Sequence, residues 1–94
     1  MNIAVPLDEN DDICSINDAK VWAFVLLENG ETKEIKRFGS RDKFDVFADF
    51  VVVKDRDDEF DDFLDEGSEV LIAPFQKSVE DILEAFIFKE LYRL

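Results

Sequence analysis

Residues 70–81 have the sequence VLIAPFQKSVED, and this stretch decides the fold class. The unbroken apolar run 70–74, closed by a proline, is typical of a strand that is buried on both faces. Ser78 follows four residues later, where its side chain can cap the free backbone amide of Asp81 at the start of a helix. A strand, a tight loop and a capped helix form a βα unit, which predicts a sheet covered by helices.

Length and composition predict one domain that spans residues 1–94. The chain is 47% hydrophobic and contains ten Phe, which is enough for a modest core. Its net charge of −13 argues against nucleic acid, because phosphate binding needs a basic patch. An anionic membrane surface is disfavoured for the same reason, and no stretch approaches the roughly 20 apolar residues of a membrane helix.

The chain has one cysteine, Cys14, and no histidine. A single cysteine cannot form an internal disulfide and, with no signal peptide, this favours a reducing cytoplasm. The absence of histidine removes the commonest general base and the commonest nitrogen ligand for metals. It also excludes a structural zinc site of the Cys/His type. We therefore predict a protein that is not an enzyme and has no catalytic or metal-ligating constellation.

The remaining pattern predicts a mixed sheet. Asn29-Gly30 indicates a hairpin between the second and third strands, and Gly67 ends the second helix. Right-handed crossovers then predict a ribonuclease-H-like motif: five strands in the order 3-2-1-4-5, with strand 2 antiparallel, and about three helices. The predicted strands are 2–6, 20–27, 31–38, 50–53 and 70–74, and the predicted helices are 41–48, 55–66 and 79–94.

The predicted C-terminal helix is apolar on two sides. One stripe, which begins at Val79 and is interrupted by Glu90, covers the sheet. The second stripe consists of Ala85, Phe88 and Tyr92, and it needs another subunit, another helix of this domain or a partner to cover it. A protein partner or a homodimer is therefore predicted through this helix.

Two acidic segments, 8–12 and 55–66, offer oxygen ligands of the kind that hard divalent cations prefer. Neither matches an EF-hand, because Ile13 and Phe60 stand where glycine must turn the loop. We predict a solvated acidic surface for both segments.

Two segments together resemble a known family. Residues 2–10, NIAVPLDEN, and residues 13–24, ICSINDAKVWAF, are similar to the opening landmarks of the dinitrogenase iron–molybdenum cofactor biosynthesis domains, the NifX and NifB C-terminal-like family. In that family a loop ending in Ala-Lys, here Ala19-Lys20, leads into an aromatic-containing strand. The resemblance covers nearly the whole chain in element order, and it implies the ribonuclease-H-like fold. It also implies iron–molybdenum cofactor, or an iron–sulfur precursor, as the ligand.

The departures from the family pattern affect the implied ligand site. The family's His-Phe-Gly is replaced by residues within 15–18, and its Gly-, His- and Cys-containing segment corresponds to 38–42, without His or Cys. Cys14 is the one candidate soft ligand for a cofactor. The resemblance implies a non-catalytic carrier or accessory protein of nitrogen-fixation-type metal-cluster metabolism. The alternative is a protein-interaction module that has lost the cofactor site. A Mg²⁺-dependent hydrolase has little support, because the predicted strands carry almost no acids.

Overall fold

The computed structural model describes residues Met1 to Leu94 and has a mixed α/β fold with one six-stranded sheet. The strand order is β3-β2-β1-β4-β5-β6. β1 pairs with β4, and β4 with β5, in parallel, whereas the other three pairs are antiparallel. The strands are β1 (Asn2–Leu7), β2 (Val21–Glu28), β3 (Glu31–Phe38), β4 (Phe50–Val53), β5 (Glu69–Ile72) and β6 (Tyr92–Arg93), and the helices are α1 (Asp61–Asp65) and α2 (Val79–Ile87).

The first five strands have the predicted order and directions, but the predicted number of strands is wrong. Residues Tyr92–Arg93 form a sixth strand, which covers the outer edge of β5. They are free to do so because α2 does not run to the C-terminus. The chain turns at Lys89, where φ is +58°, and the N–H of Glu90 donates to the carbonyl of Ala85 at 2.8 Å. This left-handed ending closes the helix and sends the chain back along β5.

The first predicted helix, 41–48, is not an α-helix. Only one 3₁₀ turn forms there, at Arg41–Lys43. The hydroxyl of Ser40 donates to the carboxylate of Asp42 and caps no backbone amide. Phe44 is extended instead, and its ring packs at 4.5 Å between centroids against Phe24 of β2. Burial of this aromatic side chain therefore overrides the local helical pattern.

The second predicted helix, 55–66, is much shorter than expected. Its first part is a turn in which the Asp55 carboxylate accepts the N–H of Asp57 at 2.9 Å, a local bond that competes with a helix. The five-residue α1 follows. Gly67 ends it as predicted, with φ +97° and its N–H donated to the carbonyl of Leu64 at 3.0 Å.

The N-terminal half follows the sequence pattern closely. Asn29 and Gly30 have φ of +55° and +78°, which confirms the predicted hairpin. β3 lies at the sheet edge, as predicted. β1 continues one residue past the predicted end at Pro6. Pro6 has no N–H to donate, but no hydrogen bond between β1 and β4 is lost, because these strands pair only as far as Ala4 and Val51.

The sheet separates two hydrophobic cores. Ile3, Val5 and Leu7 of β1 point to an aliphatic core covered by α2, whereas Ala4 points to an aromatic core covered by α1 and the 39–49 segment. Ile82 of α2 is fully buried in the aliphatic core, and Val79, Leu83 and Phe86 pack against it, whereas Ile87 of the same predicted stripe is 46% exposed. No helix in this fold combines the length and the apolar character that crossing a membrane requires.

The second predicted stripe is wrong as a helix face. Ala85 is buried inside the protein, Phe88 is the C-cap of α2, and Tyr92 lies in β6. The three side chains therefore share no surface of one helix, because the helix ends before the third of them.

Candidate functional site

Cys14, the predicted cofactor ligand, lies at the carboxyl end of β1. Its N–H donates to the carbonyl of Pro6 at 3.1 Å, and its side chain is half-buried. The neighbouring Ile13 donates its N–H to the carbonyl of Lys77 at 2.8 Å, which ties this loop to the loop between β5 and α2. Ligands of open α/β sheets bind outside the carboxyl ends of parallel strands, so Cys14 has a suitable position.

The surroundings of Cys14 do not favour a thiolate. Burial, followed by the negative charges of Asp8, Asp18 and Asp58, raises the pKa of this thiol from 9.0 to about 11. Lys54 opposes this effect but does not cancel it. At neutral pH the side chain is therefore a protonated thiol, whereas metals of the soft class bind the thiolate.

The carboxylates near Cys14 are engaged in holding the loop. Oδ1 of Asp8 accepts the N–H groups of Asn10 and Asp12 at 2.8 and 3.1 Å. The carboxylate of Asp58 accepts the N–H of Ile16, with both oxygens at 3.2 Å. Backbone N–H groups thus occupy both carboxylates: Asp8 holds its own turn, and Asp58 ties its segment to Ile16.

The donor set does not fit a metal cluster bound by this chain alone. No group of three or more His, Cys, Asp or Glu side chains is placed to hold a metal ion. Iron–sulfur clusters are held by several thiolates, and this loop offers one protonated thiol. The structure therefore brings Cys14 together with acids and not with further soft ligands.

The two acidic segments lie at the surface, and several of their carboxylates face basic side chains. Asp11 pairs with Arg37 at 2.9 Å, and Arg41 lies 3.4 Å from both Asp62 and Glu66. The guanidinium of Arg41 also stacks 3.8 Å from the ring centre of Phe63 in α1. The contacts of Arg41 hold the 39–49 segment over the aromatic core.

Sequence reasoning did not predict one concave feature of the molecule. A cavity of about 560 Å³ opens on the α2 side of the sheet, at the amino ends of β1 and β4. Phe50 of β4 and Phe86 of α2 form part of its wall, with ring centres 5.3 Å apart. The cavity therefore lies at the amino ends of these parallel strands, whereas Cys14 lies at the carboxyl end of β1.

The cavity exists because α2 is short. Its nine residues span about 14 Å, whereas the eight residues of β2 span about 27 Å. The part of the aliphatic face near the amino ends of β1 and β4 is thus left uncovered by α2. The one sequence signal for this early ending was Glu90, a charged residue in the middle of a predicted apolar stripe.

Known structures share this fold over the full length of the chain. A crystal structure of MJ0327, a protein from Methanocaldococcus jannaschii provisionally named a dinitrogenase, has a TM-score of 0.81 and 22% identity, covering 100% of this chain and 94% of that one. An NMR structure of MJ0327 gives 0.76 and 20%, covering 100% and 92%. The crystal structure of PH0822 gives 0.76 and 16%, covering 100% and 96%. No family model and no curated protein matches this sequence. The chain thus has the fold of a protein named as a dinitrogenase, at an identity that establishes the fold alone.

Proposed function

We propose that this protein is a small, non-catalytic carrier or accessory protein of metal-cluster metabolism, related to the dinitrogenase cofactor biosynthesis domains. The observation that carries the proposal is the full-length likeness to MJ0327, with a TM-score of 0.81. It agrees with the sequence resemblance in residues 2–10 and 13–24. We also propose that β1 to β5 correspond to a ribonuclease-H-like motif, supported by their order and directions. A reducing cytoplasm suits the one free thiol.

Cys14 is the proposed point of contact with a cluster. Because the thiol must lose its proton when it binds a metal, the raised pKa predicts binding that strengthens as the pH rises. Any further ligands would have to come from outside this chain, since the loop offers no second thiol.

Anaerobic reconstitution with ferrous iron and sulfide, with dithiothreitol present to supply the thiolates that the chain lacks, tests this contact. We expect a visible absorbance band at pH 9 that is weaker at pH 7 and absent from Cys14→Ala. A wild-type protein with no chromophore that depends on Cys14 at either pH would contradict cluster binding. The folding of the variant is checked by its circular dichroism spectrum.

The second candidate is a protein-interaction module that has lost the cofactor site. It is favoured by the poor donor set around Cys14 and by the net charge of −13, which suits a basic partner. A homodimer is a separate version, which the charge opposes; its predicted contact is Phe88, which is 69% exposed at the end of α2.

Sedimentation equilibrium distinguishes the homodimer from a monomer. Phe88→Asp should dissociate a dimer that uses this residue, whereas Phe75→Asp is the matched control. Phe75 is 83% exposed and lies before α2, at its opposite end. A wild-type protein that stays monomeric at high concentration removes the homodimer version.

A further inference from the structure

The cavity beneath the carboxyl end of α2 combines an apolar interior with a distinct charge pattern. Seven of its 11 lining residues are hydrophobic, among them Leu27, Phe50, Phe86 and Leu91. None of the 11 is acidic and two are basic, although the chain as a whole has 24 acidic and 11 basic residues. The residues that line the cavity thus include no acid, although the protein is strongly acidic.

The two basic residues of the cavity differ in their partners. Nη1 of Arg93 lies 2.9 Å from Oε2 of Glu69, so its charge is neutralised within the protein. Lys89 is exposed and takes part in no ion pair. Lys89 occupies the left-handed turn at the end of α2 and is one of the residues that line the cavity.

We propose that this cavity binds a small amphiphile with one anionic headgroup, of the class of medium-chain carboxylates. The tail would lie against Leu27, Phe50 and Phe86, and the headgroup would face Lys89. The volume of about 560 Å³ is within the size range of small-molecule sites. This inference goes beyond the proposed function and does not depend on it, because the cavity and Cys14 lie at opposite ends of the parallel strands.

A second copy of this chain is a poorer occupant. Two molecules that each carry a charge of −13 repel one another, so association through this face starts with an electrostatic cost. A single carboxylate gains the ammonium group of Lys89 at little such cost. Its apolar tail covers the side chains that the short α2 leaves exposed to water.

Titration calorimetry with hexanoate, octanoate and decanoate, each below its micelle concentration and at fixed ionic strength, tests the proposal. Each buried CH₂ group should tighten binding by about fourfold. Decanol, which lacks the charge, should bind more weakly than decanoate. Absence of measurable binding, or an affinity that does not depend on tail length, would overturn the proposal.

Variants locate the site. Lys89→Met should weaken decanoate binding by about threefold, the scale of an exposed ion pair, and should leave decanol binding unchanged. Lys89→Arg should keep the wild-type affinity for decanoate. Lys43→Met is the matched control, because Lys43 is also exposed and unpaired but lies in the turn on the α1 side of the sheet. An equal loss in the two lysine variants would refute the headgroup contact.

The cavity itself is tested by filling it. Ile87 lines the cavity and is 46% exposed, so Ile87→Trp adds volume at the mouth without crowding the core. This variant should lose decanoate and decanol binding together while keeping its circular dichroism spectrum. Binding unchanged in Ile87→Trp, or a ligand-free dimer that buries this face, would refute a small-molecule site here.

Discussion

At the residue scale, the clearest electrostatic feature is the protonated thiol of Cys14. Its pKa of about 11 results from burial and three nearby carboxylates. We expect alkylation by iodoacetamide to accelerate with a midpoint near pH 11 in the folded protein. In urea the midpoint should return towards the ordinary value of 9.0. A folded-state midpoint at or below 9.0 would contradict the described environment.

The same thiol makes the free energy of unfolding depend on pH. Because the pKa is higher in the folded state, the folded protein holds this proton more tightly between pH 9 and 11. The contribution of Cys14 is therefore fully present below pH 9 and is lost as the pH rises towards 11. Urea unfolding at a series of pH values should show a steeper loss for the wild type than for Cys14→Ala. Parallel profiles would contradict this assignment.

Lys89 adopts a backbone conformation that suits glycine better than lysine. Its φ of +58° is left-handed, and it occupies the position after the C-cap of α2. Lys89→Gly should therefore stabilise the protein by about 0.5–1 kcal/mol, measured by urea unfolding.

Gly67 provides the reverse comparison. It occupies the corresponding position after α1, with φ +97°, so Gly67→Ala should destabilise the protein by about 1 kcal/mol. If both substitutions have the same sign, backbone conformation does not govern these two helix ends.

At the element scale, strands were easier to predict than helices. The run Val70–Ile72 and the Asn29-Gly30 turn determine strands through local chemistry that the fold preserves. The 41–48 segment has helical spacing of apolar residues, yet Phe44 must reach a ring cluster formed by distant strands. A single sequence does not reveal such a tertiary contact, so the local pattern predicts a helix that does not form.

Capping distinguishes Ser78, at the start of α2, from Ser40, which precedes the 3₁₀ turn at Arg41–Lys43. Oγ of Ser78 accepts the N–H of Asp81 at 3.1 Å, and the carboxylate of Asp81 accepts the N–H of Ser78 at 3.4 Å. Ser78→Ala should cost about 1 kcal/mol of stability in urea unfolding. Ser40 caps no backbone amide, so Ser40→Ala should cost less than about 0.5 kcal/mol. Equal losses would contradict the difference between these helix starts.

At the scale of the whole molecule, excess negative charge lowers stability. The net charge of −13 destabilises the compact state through repulsion, which salt screens. Raising NaCl from about 20 to 300 mM should therefore increase Tm by roughly 3 °C, equivalent to about 0.5 kcal/mol. Asp57→Lys, at an exposed site, should raise Tm at low salt only. A Tm that falls with NaCl would refute this explanation.

The candidate sites show how far sequence reasoning extends. It singled out Cys14 as the one candidate soft ligand, because residue type alone decides that choice, and the assignment stays a prediction. It could not predict the pKa shift, because burial, the largest cause, depends on the tertiary fold, and Asp58 approaches from a distant part of the chain. It missed the cavity beneath α2 altogether, since that space depends on where the helix ends and on how long the facing strands are.

The alternation along β1 has a consequence for how the protein tolerates change. Branched side chains at Ile3 and Val5 face one core, and the single methyl group of Ala4 leaves room for aromatic rings in the other. The alternation along β1 thus decides which of its side chains enters which core. One residue inserted within β1 would turn the side chains that follow it to the opposite face of the sheet and disrupt both cores. The exposed turn at 55–57 has no such alternation, so we expect insertions there to leave both cores unchanged.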